Sequence, residues 1–306
     1  MPSTRDIKRR IKSIGNTRKI TKAMEMVAAF KMRKAVEAAL RTRSYANLGW
    51  LTVLNLSQTA SRRLHRLFEM KKEIKKVAII LITSNRGLCG GFNSAIINKA
   101  HESIMKHAGP DGRPIATEFI LAGKKGAAVY RYFGYNIAAD FPKSDLAGRV
   151  GEIIPLAKMI IKDFLNGKYD KIFVAYTDFI SAIKQTPIIR QILPIDEKAH
   201  KDFLGVVTSK YEQGRENNNK TTGYIFEPNS QEVLNEMLPR LIEVQLFQAL
   251  LESNASEHSA RMAAMRQATE AAGDLVDDLT LFYNKARQAS ITREIAEISA
   301  GANALK

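Results

Sequence analysis

From Arg240 to Ala300 the chain runs 61 residues without a proline and with one glycine, Gly273, while apolar or small residues return every three to four positions. A helix of that length spans roughly 90 Å at about 1.5 Å per residue, against ~11–12 residues for an ordinary globular helix. The stretch therefore reads as a shaft rather than as a piece of compact core. Written in heptads, one seam position takes Leu234, Leu241, Gln248, Ala255, Met262, Thr269, Val276 and Tyr283. Its companion takes Met237, Val244, Leu251, His258, Met265, Ala272, Leu279 and Ala286. A repeat at 3.5 residues implies a left-handed supercoil with a partner helix. The small and polar seam residues predict a slender rod.

The same chain supplies a partner. Between Ser3 and Leu48 there is no proline and one glycine, Gly15, and Ile7, Ile11 and Ile14, then Ile20, Met24 and Val27, recur at helical spacing. Ser3 or Thr4 can cap the start, with Asp6 in the first turn. Long helices at opposite ends of one chain predict an antiparallel pair, with everything between them at one end of the rod.

Charge is concentrated on that first arm. Residues 1–76 carry 20 Lys and Arg against 5 Asp and Glu, which leaves 27 against 26 for the other 230. Arg5, Lys8, Arg9, Arg10, Lys12, Arg18, Lys19, Lys22, Lys31, Arg33 and Lys34 surround the helix. An acidic partner follows, either nucleic acid or an acidic protein surface. No apolar run approaches the ~18 residues of a membrane span, the longest being Val77 to Ile82. The N-terminus lacks the apolar core of a secretory signal, and one cysteine, Cys89, excludes an internal disulfide framework, so a soluble intracellular protein is expected.

The middle changes character. Val77 to Thr83 is a continuous aliphatic run bounded by Lys75-Lys76 and Ser84-Asn85-Arg86-Gly87, as a strand buried on both faces requires. Helices are expected from Gly90-Gly91 to near Gly109, over Lys124 to Phe133 and over Ile153 to Leu165. Strands are expected over Thr117 to Leu121, Asn136 to Ala139, Lys171 to Thr177, Ile188 to Ile195 and Gly223 to Phe226. This alternation indicates an α/β unit with right-handed crossovers. Thr208 to Thr222 is too polar to pack and reads as a loop. The expected organisation is an N-terminal coiled-coil helix and connector over 1–75, an α/β domain over 76–226 and a long C-terminal helix over 227–306.

An enzyme reading has one candidate, the turn Arg86-Gly87-Leu88-Cys89-Gly90-Gly91 after the first strand. It lacks the Lys-Ser/Thr pair of a P-loop and does not read Gly-x-Gly-x-x-Gly. Glycines for close strand-to-helix packing, with Cys89 as a small buried hydrophobe, are the favoured reading. His101 and His107 lie six apart on different sides of a helix, so no metal site or cofactor is expected.

Three strings resemble a known family. Thr17-Arg18-Lys19-Ile20-Thr21-Lys22-Ala23-Met24-Glu25-Met26-Val27-Ala28-Ala29, followed by Lys31-Met32-Arg33-Lys34, is similar to the N-terminal signature of the γ subunits of F-type ATP synthases, of the bacterial type. Arg86-Gly87-Leu88-Cys89-Gly90-Gly91 resembles that family's central glycine motif. Tyr283-Asn284-Lys285-Ala286-Arg287-Gln288-Ala289-Ser290-Ile291-Thr292, with Glu294, Glu297 and Gly301-Ala302, resembles its C-terminal signature.

The resemblance implies a Rossmann-like α/β domain at the foot of an antiparallel coiled coil, and no catalytic site. It implies a central rotor stalk that couples ion-driven rotation of a c-ring to the catalytic sites of the β subunits, with an α3β3 hexamer, an ε subunit and the c-ring as partners. It further implies no nucleic acid, no cofactor, and a peripheral place on the cytoplasmic face of the inner membrane. By motif position it places Lys22, Met24 and Arg261 near an acidic lever of the β subunits. It places Arg287, Gln288, Thr292 and Glu294 near the shaft tip and Glu227 on the c-ring side of the foot. Phe30 departs from the small residue that the family pattern has after Val27-Ala28-Ala29, and the paired cysteines of the chloroplast redox switch are missing. A basic coiled-coil nucleic-acid-binding protein is the alternative, and predicts a steep salt dependence of duplex binding.

Overall fold

The computed structural model describes residues 4–59, 65–71, 73–106, 115–145, 150–195 and 229–304. They form two compact units, residues 1–29 with 261–306, and residues 30–260. The larger is built on five strands: β1 (Lys76–Ile82), β2 (Ala116–Ala122), β3 (Asn136–Phe141), β4 (Lys171–Phe179) and β5 (Gln185–Leu193). Their order is β3-β2-β1-β4-β5, the first four parallel and β5 antiparallel to β4. β1 is central, with Ile80 in register with Ile120 on one side and Val174 on the other.

Both faces of this sheet are covered, which is why β1 is aliphatic throughout instead of alternating. Val77, Ile79 and Leu81 pack with Ile96, Ile97 and Ala100 of α2 (Phe92–Lys106). Ala78, Ile80 and Ile82 turn the other way, into a cluster with Leu156, Ala157 and Ile160 of α4 (Ile154–Leu165) and with the long C-terminal helix. The expected helix over 124–133 begins instead as a 3-10 turn at Lys124–Ala127 and becomes α3 only over Ala128–Phe133. The expected strand over 223–226 and the polar loop 208–222 lie outside the described residues.

The N-terminal helix is longer than its pattern to Leu48 indicates, while the C-terminal one falls within the expected 227–306. The first, α1, runs Thr4–Thr59, and the last, α5, runs Ser230–Ala304 with Pro239 inside it. The expectation that α5 is all shaft needs correction. Leu234, Leu238, Leu241, Ile242, Leu246, Phe247, Leu250 and Leu251 lie in the sheet's own core cluster, and every residue from Gln245 to Ser259 is buried. This segment does the work of a layer helix of the α/β unit. Ala35 and Ala39 of α1 are buried in the same unit, Ala39 in that cluster.

One carboxylate ties the connector to the sheet. Asp170 accepts from the Lys71 ammonium at 2.6 Å and from the Lys75 and Lys76 backbone N–H groups at 2.7 and 2.9 Å, while its own N–H donates to the Lys76 carbonyl at 2.8 Å. Burial alone would raise its pKa, but the lysine and the two backbone donors outweigh that and hold the carboxyl below its ordinary 3.8. Glu118 shifts the same way, held down first by the Lys76 ammonium at 2.7 Å. A folded pKa below the unfolded one adds stability that is full above the unfolded value and disappears as pH falls through the folded value. Asp170→Asn is therefore expected to lower the urea midpoint at about pH 7 and to shrink the further loss of stability between about pH 5 and pH 2. Equal acid sensitivity in variant and parent chain, by urea titrations across that range, would count against this role.

Candidate functional site: the coiled-coil shaft

In the smaller unit, residues 4–29 of α1 pack antiparallel on α5 from Arg261 onward. The Thr21 and Thr269 hydroxyls lie 2.8 Å apart, and Arg18 lies over Gly273, where an added methyl would sit 3.3 Å from the guanidinium carbon. Gly273 thus makes room for a long cation in a narrow seam. On α5 the buried and half-buried positions include Met262, Met265, Thr269, Ala272, Val276, Leu279, Tyr283 and Ala286, the 3-4 alternation of the heptad reading.

The α1 face is partly different from the expected one. Ile7, Ile11 and Ile14 are turned inward, but the stripe then continues through Thr21, Glu25 and Ala28. Ile20 and Val27 point to solvent, 60% and 56% exposed, together with Met26. Met24 is half-buried. Cations alternate with these exposed apolar groups. Lys19 and Lys22 are exposed, and Lys22 pairs with Glu25 one turn on at 3.0 Å. An open groove lined by Arg18, Lys19, Lys22, Met26, Thr269 and Val276 runs between the two helices, with Ile20 and Val27 outside it. Exposed apolar groups interleaved with cations are what a surface needs to hold an acidic, amphipathic partner segment.

The pairing register explains the tip. Arg18 meets Gly273 and Thr21 meets Thr269, so paired positions sum to about 290 and Thr4 falls opposite about residue 286. Beyond that point α5 runs past Thr4, the first described residue of α1. Arg287, Gln288, Thr292 and Glu294 are all exposed there: among the described residues the Thr292 hydroxyl donates to the Gln288 carbonyl at 2.9 Å, and Ser290 Oγ lies 3.5 Å from Glu294. Ile291, Ile295 and Ile298 stand exposed at i, i+4 and i+7, an apolar stripe on this part of α5. Arg261 is half-buried at the base of the coil. Glu227 lies outside the described residues.

The glycine turn between β1 and α2 is a packed corner. The Cys89 sulfur is buried, 3.4 Å from Asn93 Nδ2, and the Asn93 side chain is also bonded to the backbone and hydroxyl of Ser84. Close strand-to-helix packing, however, does not account for its glycines. A methyl would find open space at Gly87 and Gly90, and only ordinary contact at Gly91. Gly90 is there for its backbone, with φ +55, and the exposed Leu88 holds φ +63 beside it. Lys143 and Glu257 escaped notice in the sequence. They form an ion pair at 2.6 Å, 0% and 2% exposed, and their separation of 114 residues hides it from any local pattern.

A family model described as ATP synthase matches residues 3–305. The ATP synthase gamma chain of Chloroflexus aurantiacus is 40% identical over 307 residues, covering 100% of this chain and 99% of the relative. That of Legionella pneumophila (strain Corby) is 37% identical over 309 residues, covering all of both. Among solved structures, a chain of the Euglena gracilis mitochondrial ATP synthase (OSCP/F1/c-ring) shares the fold with a TM-score of 0.65 at 17% identity, over 99% of this chain and 94% of that one. A chain from the central stalk/c-ring of the Tetrahymena thermophila mitochondrial enzyme gives 0.59 at 24% identity, over 81% and 99%. Full-length identity at this level joins the coil, its exposed tip and the α/β foot into one inherited design: the chain belongs to the ATP synthase gamma-chain family.

Proposed function

We propose that this chain is the central rotor stalk of an F-type ATP synthase, a non-catalytic subunit that couples ion-driven turning of a c-ring to conformational change at the catalytic sites of the β subunits. The observation that carries this reading is the surface of the coil. Its apolar groups Ile20, Met26 and Val27 face outward among cations, and its last turns carry exposed isoleucines past the first described residue of α1. Such a surface suits enclosure by other subunits, in this reading an α3β3 hexamer. Exposed charge pairs worth ~0–1 kcal/mol form and break without trapping a turning contact, so the exposed cations are suited to a partner that is met and left at each step.

In this reading Lys22, Met24 and Arg261 meet the acidic lever of the β subunits. Arg287, Gln288, Thr292 and Glu294 work within the sleeve, and Glu227 faces the c-ring beside the ε subunit. Functionally the chain divides at 1–75, 76–226 and 227–306, and it works from the cytoplasmic face of the inner membrane, held there through the complex. Among the described residues no helix is long and apolar enough to cross a membrane. The family assignment does not support the nucleic-acid-binding alternative.

Co-purification with α and β subunits, followed by ATPase assays with and without this chain, tests the reading. The chain is expected to join the hexamer and to change its turnover by about fivefold or more, the lower range of coupling between distant sites. A hexamer whose turnover ignores the chain would overturn the proposal.

A further inference from the structure

We propose that the loop after β3 and the β4–β5 hairpin grip α5 between Asn254 and Ser259 as a two-sided clamp, through which turning force passes between the α/β unit and the shaft helix. The proposal rests on the rotor reading above. Three consecutive loop residues dock on one face of α5. The Lys143 ammonium donates to Glu257 at 2.6 Å, the Ser144 carbonyl accepts from Asn254 at 3.2 Å, and the Asp145 carbonyl accepts from His258 Nε2 at 2.7 Å. Positions 254, 257 and 258 form one side of a helix at about 100° per residue.

The loop is itself anchored. Lys143 Nζ also donates to the Thr83 carbonyl at 2.9 Å, and Asn85 Nδ2 donates to the Lys143 carbonyl and to Asp145 Oδ1 at 2.7 and 2.9 Å. The second grip comes from the hairpin joining β4 and β5. The Ser259 hydroxyl donates to the Ala182 carbonyl at 2.6 Å, and Gln185 Nε2 lies 3.1 Å from the same hydroxyl. Ser259 is roughly 150° round the helix from the first set. Contacts on nearly opposite sides act as a couple against rotation, which one-sided contacts cannot.

The chemistry of the grip fits that task. Before it, α5 is held by leucines and isoleucines of the core cluster, whose attraction is non-directional. From Glu252 to Ser259 only Ala255 is apolar, yet every residue is buried. Hydrogen bonds weaken steeply when bent, so they oppose twisting and axial slip together. Helix α5 then continues unbroken past Ala260 into the coil.

The test uses the complete complex in vesicles, with ATP hydrolysis and ion uptake read together. Lys143→Met with Glu257→Leu removes the ion pair from the first grip, taking both of its charges together, and Ser259→Ala weakens the second. With both grips altered, hydrolysis is expected to persist while ion uptake per ATP falls by about fivefold or more, exceeding the separate losses combined. Uptake per ATP at the parent ratio, or hydrolysis and uptake falling in parallel, overturns the clamp. Should the Lys143/Glu257 variant fail to assemble, Ser259→Ala with Gln185→Leu decides alone: a lowered ratio supports the clamp and a parent ratio overturns it. A parent complex whose hydrolysis drives no uptake overturns the rotor reading, and the clamp with it, whereas a coupled parent beside unaffected variants overturns the clamp only.

Discussion

Lys143→Ala is expected to lower the unfolding free energy of the α/β unit by about 3–5 kcal/mol, the cost of removing one partner of a buried ion pair. The truncation strips a carboxylate with 2% exposure of its ammonium and takes the donor from the Thr83 carbonyl. Lys143→Met with Glu257→Leu removes both charges and fills much of the same space but still takes the donor from the Thr83 carbonyl, so it is expected to cost about 1–3 kcal/mol, less than the single truncation. The order matters more than either value, because a lysine that mattered only through its aliphatic packing would make methionine and alanine differ by volume alone. Urea unfolding of the three chains, followed by circular dichroism, separates the cases. A single variant no less stable than the double one would remove the ion pair from the account of stability.

What the sequence discloses is governed by distance. The heptad from Met262 to Ala286 is a local repeat with a local cause, so reading every third and fourth residue recovers the buried side of α5. The strands were legible for a similar reason: in β1 a run of seven residues with six buried is the direct result of helices on both faces. The facing stripe of α1 was half legible. Ile20 and Val27 have the spacing of a seam and lie outside it, while Thr21 and Glu25 lie within. A slender antiparallel coil leaves little room for large side chains, and a surface built for a partner carries apolar groups outward, so hydrophobicity ceases to mark the inside. The polar run Glu252-Ser253-Asn254-Ala255-Ser256-Glu257-His258-Ser259 misled most. Its pattern marks only Ala255 and His258 as seam, and its partners at Lys143, Ser144, Asp145 and Ala182 lie 77 to 114 residues away in sequence. The antiparallel direction of β5 was equally hidden, because an apolar, β-branched run marks a strand and not its direction.

Gly123→Ala is expected to cost about 2–6 kcal/mol, from two separate causes. The first is conformational. Gly123 ends β2 at φ +116 and ψ 135, a region that side-chain-bearing residues enter at about 1–3 kcal/mol. The second is contact, since a β-carbon there would lie 2.3 Å from the Thr83 carbonyl oxygen and 2.8 Å from its carbon, which are backbone atoms that no rotamer change can move aside. Crowding of this kind adds about 1–3 kcal/mol. Thr83 is also held from both ends, its N–H donating to the Ala122 carbonyl at 2.9 Å and its hydroxyl to the Gly123 carbonyl at 2.9 Å. Its own carbonyl receives the Lys143 ammonium, so a methyl at Gly123 pushes on the anchor of the ion pair 20 residues downstream. The two substitutions should therefore be non-additive, Gly123→Ala costing less in a chain that already carries Lys143→Met and Glu257→Leu. Gly87→Ala is the control. It meets open space and has no positive φ, and is expected to stay within about 0.5 kcal/mol of the parent. Equal urea midpoints for Gly123→Ala and Gly87→Ala would show that the close approach of β2 to Thr83 does not constrain the fold.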